Sequence, residues 1–163
     1  MKTTLRILSV ILAAMTLCFC FAACSSGGAS SKLSFKSPNG TEVVIGADAA
    51  PVLEALGAHN SVSSSPSCGG FQGDDYTYTY NGFRVSTTPS KNGQIICKVE
   101  LTDDSLKTPQ GLYIGMTRTE VEKAMKGISS ESVGSNLVYT DGGVKLQVIF
   151  NGDSVSGIKY IAK

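Results

Sequence analysis

Three hydrophobic patterns follow one another along this 163-residue chain. Ile7 to Phe21 form a predominantly apolar run of about fifteen residues, introduced by Lys2 and Arg6. That length suits the core of a signal peptide and falls short of the roughly twenty residues a membrane span needs. Ser25 to Ser31 contain only Ser, Gly and Ala and carry no periodicity, which reads as a flexible tether. Beyond it, short apolar stretches recur at spacings of helix or strand. Val52, Leu53 and Leu56, and later Val121, Ala124 and Met125, follow helical spacing and predict helices over 49–56 and 118–126. Tyr76-Thr77-Tyr78-Thr79-Tyr80 alternates strictly, as a half-buried strand does.

The ends of these elements are marked by residues with a physical reason to be there. Asp48 and Thr117 are N-cap types, Glu120 completes a capping box with Thr117, and Pro51 sits in a first turn where a missing N–H costs little. Gly57 and Gly127 suit the position just past a helix. Asn81-Gly82 is the strongest short hairpin signal in the chain. It predicts that Tyr80 opposes Phe83, Tyr78 opposes Val85 and Tyr76 opposes Thr87.

The same order of signals occurs twice. Gly46-Ala47-Asp48 leads into one helix and Gly115-Met116-Thr117 into the other. After the first come strands over 76–80, 83–87 and 94–101; after the second, 137–140, 144–150 and 155–161. Lys98 and Lys159 fall at equivalent places, and Leu33–Lys36 with Thr41–Ile45 add a hairpin across Pro38-Asn39-Gly40. The fold expected is therefore α+β: two tandem units, each a short helix packed on a three- to four-stranded antiparallel sheet. The boundaries are 1–23 for the signal, 24–31 for the tether, 32–104 and 105–163 for the two units, with Thr102 to Gln110 as linker.

Composition narrows the partners. Without the signal about 140 residues remain, enough for one modest core or two small repeats. Setting Lys2 and Arg6 aside, twelve basic residues face thirteen acidic ones. With no basic stripe, nucleic acid is not an expected partner. Cys68 and Cys97 are the cysteines downstream of Cys24, and export permits either a disulfide between them or two separate thiols. Alternation along Ile95–Leu101 puts Cys97 on the face of Ile95, Val99 and Leu101.

Phe21-Ala22-Ala23-Cys24 resembles the lipobox of bacterial lipoproteins, with Phe21 where Leu is usual. The resemblance implies acylation of Cys24, palmitate-type chains in the membrane, and a mature chain that begins at Cys24 on the extracytoplasmic face. An unlipidated signal peptide or an uncleaved signal anchor are the alternatives. Ile114-Gly115-Met116-Thr117-Arg118-Thr119-Glu120-Val121, followed by Gly127, resembles the start of repeats in the β-lactamase inhibitory protein and in SmpA/OmlA-type lipoproteins. Pro66-Ser67-Cys68, Gly73-Asp74 and the tyrosine strand also resemble a pattern in uncharacterised lipoproteins of Gram-positive anaerobes. These folds imply a protein-binding or scaffold role, with an envelope or exported protein as partner.

Candidate chemistry outside binding is sparse. The tyrosine face, with Tyr76, Tyr78, Tyr80 and Phe83, either lies under a helix or offers aromatic anchors to a partner. His59 and Cys68 form a thiol–imidazole pair only if brought together, and no orienting third group or oxyanion loop is recognisable. One His and two thiols fit no metal spacing, and Asp74-Asp75 and Asp103-Asp104 sit in no calcium loop. The chain is accordingly expected to be a non-enzymatic, membrane-anchored binding or scaffold lipoprotein without a cofactor. A thiol-dependent envelope redox protein using Cys68 with Cys97 or His59, or a small-ligand-binding lipoprotein, are the alternatives.

Overall fold

The computed structural model describes residues 31–163; the expected signal, Cys24 and all but the last residue of the expected tether lie outside them. A short hairpin, β1 (Phe35–Lys36) and β2 (Glu42–Val43), precedes helix α1 (Ala49–Leu56). Four strands follow: β3 (Ser61–Pro66), β4 (Asp74–Tyr80), β5 (Phe83–Ser90) and β6 (Gly93–Leu101). After an irregular stretch come helix α2 (Arg118–Ala124) and strands β7 (Ser129–Val133), β8 (Asn136–Asp141), β9 (Val144–Asn151) and β10 (Ser154–Ala162). All eight later strands form one antiparallel sheet in the order β3-β4-β5-β6-β10-β9-β8-β7.

The expected α+β pair of helix-on-sheet units is overturned. Among the described residues strands make up 48% and helices 11%, so this part of the chain is mostly β, with two helices on one large sheet. The cause lies in β6 and β10. Left as the ends of separate sheets, they would present unpaired backbone edges flanked by large apolar side chains. They pair with each other, setting Leu101 against Ile158 and Val99 against Tyr160, all four side chains buried. The core runs without a break across this seam on the face that carries the helices.

Both helices are tied to the sheet in the same way. Gly46 N–H donates to Ile96 O (2.7 Å) and Ile96 N–H to Ala47 O (2.9 Å). Gly115 N–H donates to Val155 O and Val155 N–H to Met116 O, both at 2.8 Å. Asp48 caps α1 by accepting from Ala50 N–H, and Thr117 with Glu120 forms the complete capping box of α2.

A β-bulge also recurs. The β5–β6 register steps over Cys97, and the β10–β9 register steps over Ser156. Buried positions therefore run Ile96, Val99, Leu101 in β6 and Val155, Ile158, Tyr160 in β10. This corrects two expectations. Simple alternation set Cys97 with Val99 and Leu101, but the extra residue turns Cys97 to the opposite face, where its thiol donates to Ser86 O at 3.3 Å. The position equivalent to Lys159 is Glu100, not Lys98, and those two side chains form an ion pair at 3.0 Å across the seam.

Candidate partner-binding surface

The Asn81-Gly82 turn closes β4 onto β5 with Tyr80 opposite Phe83, Tyr78 opposite Val85 and Tyr76 opposite Thr87. Gly82 takes φ 82°, the left-handed region that such a two-residue turn demands. All three tyrosines thereby share the helix side of the sheet with Phe83 and Val85.

Their burial then divides. Phe83 and Tyr80 stack at 4.9 Å and are only 3% and 7% exposed, and Phe35 closes on Phe83 at 5.0 Å. These two belong to the core. Tyr78 and Tyr76 are only partly buried, because α1 packs over β6 and leaves the β3–β4 margin open. Val62 of β3, paired with Tyr78, is 50% exposed on the same side. His59 meets the Tyr78 ring edge-on at 5.3 Å, and Tyr76 lies 6.3 Å from Tyr78. The result is a shallow aromatic shelf at one margin of the sheet. Neither Val62 nor the role of His59 was legible beforehand; a lone valine among serines gives no periodic signal.

Beneath the shelf the polar groups are incompletely paired. Tyr80 Oη, Thr87 Oγ1 and Gln94 Oε1 are buried and have no hydrogen-bond partner among the described residues. Burial, and then the neighbouring Tyr78, push the Tyr80 phenol above its ordinary pKa, so it stays neutral. Gln94 spans to the margin by donating Nε2–H to Asp74 O at 3.0 Å.

The opposite face of the sheet is polar and laced by short bonds. Thr77 and Ser86 hydroxyls lie 3.1 Å apart, and Thr88 donates to Asp75 at 2.7 Å. Cys97 sits among them; burial first, and Asp75 second, raise its pKa. Cys97 and the exposed Cys68 are both free thiols. Cys68 lies past one end of β3 and His59 before the other. A six-residue strand spans about 20 Å, so the thiol–imidazole pair does not form. No three His, Cys, Asp or Glu side chains converge on a point among the described residues. Asp103 is held below its ordinary pKa by bonds from Ser105, as a turn residue would be.

A small cleft of about 290 Å³ opens between the β1–β2 hairpin (Lys36, Pro38) and the segment Leu106–Pro109. Among the described residues, no helix is long and apolar enough to cross a membrane. Comparison of the chain with profiles of protein families, with curated proteins and with solved structures finds no match.

Proposed function

We propose that this chain is a membrane-anchored, extracytoplasmic lipoprotein that works without catalysis, by binding another protein of the envelope or an exported protein through the aromatic shelf. The observation that carries the binding role is the pair Tyr76 and Tyr78, only partly buried beside the 50% exposed Val62. Tyrosine anchors interfaces well because it buries a large ring while losing little rotamer freedom. The anchor is supported by the apolar run that ends in Ala22-Ala23-Cys24, and lipid chains contribute about 0.8 kcal/mol per buried methylene.

The test is a crosslinking pull-down of the full lipidated chain from its native cells, beside Tyr78→Ala and Cys24→Ser. One dominant protein partner should be lost with Tyr78→Ala while the variant keeps its far-UV spectrum. Cys24→Ser should leave the membrane fraction. A defined small ligand in place of any protein partner would overturn the proposal.

A further inference from the structure

The partner-binding role proposed above leaves open how a partner meets a shelf that lies at the very margin of a sheet. Strand β3 is that margin, and all six of its residues are exposed. Its hydrogen-bonding direction follows from its ends. Ser67 N–H donates to Gly73 O at 3.0 Å, and the two-residue turn at Asn81-Gly82 makes Tyr80 and Phe83 a bonded pair. Antiparallel ladders alternate. Ser61, Ser63 and Ser65 therefore bond to β4, and the N–H and C=O groups of Val62 and Ser64 point out of the sheet. Pro66, which has no N–H to leave unpaired, occupies the next outward position.

The side chains make a step at the same place. Val62 and Ser64 are small, and behind them on β4 stand the rings of Tyr78 and Tyr76. Behind Pro66 stands the exposed carboxylate of Asp74, for which no ion pair is found among the described residues. We infer that the partner presents an extended segment that adds to β3 as a ninth, antiparallel strand. Its residues opposite Val62 and Ser64 lay bulky apolar side chains over the step against Tyr78 and Tyr76. Its residue opposite Pro66 brings a Lys or Arg to Asp74. Read from its N-terminus, the segment carries the pattern basic–x–apolar–x–apolar. Main-chain bonds would supply affinity and the two rings and the carboxylate specificity.

A second copy of this chain fits less well. Pairing β3 with β3 turns the partner copy end over end. Residue 31 is held at the β8–β9 turn, where Ser31 donates to Asp141 O, so the two tethers would leave from opposite ends. Strands of nine residues are about 30 Å long, and the seven residues from Cys24 to Ser31 reach about 25 Å at most. The free edge β7 of another copy would offer only Ser130 and Ser132 to the tyrosines.

The test uses the full chain in detergent micelles and a random twelve-residue peptide library displayed on phage. Enriched peptides should share the basic–x–apolar–x–apolar pattern. Ser64→Pro removes one outward N–H and should weaken them about tenfold, the worth of one backbone hydrogen bond. Val62→Pro is the second variant in case the first does not fold. Asp74→Asn should weaken them as well. Enriched peptides that bind the proline variants unchanged, that lack the pattern, or that never emerge would each overturn strand addition. The partner-binding role falls separately, if the cellular partner is indifferent to Tyr78→Ala.

Discussion

At the scale of single residues, two buried tyrosines make opposite use of the same hydroxyl. Tyr160 is 1% exposed, and its Oη donates to Gln110 Oε1 at 2.9 Å. Tyr80 is almost as buried, and its Oη has no partner among the described residues. A hydrogen bond contributes about 1 kcal/mol net, whereas a buried polar group left unpaired costs about 1–3 kcal/mol. Tyr160→Phe should therefore lower stability by about 1 kcal/mol, and Tyr80→Phe should leave it unchanged or raise it; urea unfolding of the two variants compares them directly. Equal losses would mean that Tyr80 Oη is paired in solution. Burial raises the pKa of both phenols, and of the Cys97 thiol. A raised pKa favours the protonated form in the folded state, so this stability is present below the ordinary value and lost as pH rises through the folded one. The sequence showed that the tyrosines share a face. It could not show which of them α1 would cover, because that depends on where the helix lies across a sheet formed by residues far along the chain.

At the scale of elements, the strongest local signals were those in which one conformation is chemically enforced. Asp48, the Thr117–Glu120 box and Asn81-Gly82 all act where expected. Gly82 is the most constrained of these. It sits at positive φ, and a Cβ there would stand 2.6 Å from Ser105 Oγ and 2.9 Å from Leu106 carbons, while its C=O accepts from Thr102 N–H. Gly82→Ala should cost at least about 1–2 kcal/mol from the backbone alone, with the crowding added; a melt that moves by less than a degree would refute this. Thr102–Ser105 thus lock the very turn that fixes the tyrosine register. What was not legible were β3 and β7, Ser-Val-Ser-Ser-Ser-Pro and Ser-Ser-Glu-Ser-Val. Serine has little strand propensity, and neither segment has an apolar alternation. They are strands because a bonded neighbour already exists on one side. The bulges at Cys97 and Ser156 were hidden for a related reason, since a skipped residue shows only when the partner strand is known.

At the scale of the whole molecule, the seam between β6 and β10 decides what kind of protein this is. The local signals are duplicated, and local signals alone suggested two units. Each half nevertheless ends in a strand whose buried side chains are finished only by the other: Val99 and Leu101 from one, Ile158 and Tyr160 from the other. Fully burying a side chain of this kind contributes about 1.5–3 kcal/mol, and a domain is stable by only about 5–15 kcal/mol in all. Uncovering even part of the two such side chains that each half contributes, together with an unpaired edge, is enough to unfold that half. A fragment of residues 32–104 should therefore fail to fold as a monomer, and should aggregate through β6. The full chain should unfold in one step, with far-UV dichroism and tyrosine fluorescence changing together; six tyrosines and no tryptophan make the second probe clean. A monomeric fragment with dispersed amide resonances, or two separated transitions, would show that the halves stand alone after all. The Lys159–Glu100 pair is a poor lever on this outcome, since its side chains are 32% and 19% exposed and pairs near the surface contribute about 0–1 kcal/mol. Removing it should leave the single transition in place, because the seam is held by the four apolar side chains beneath it.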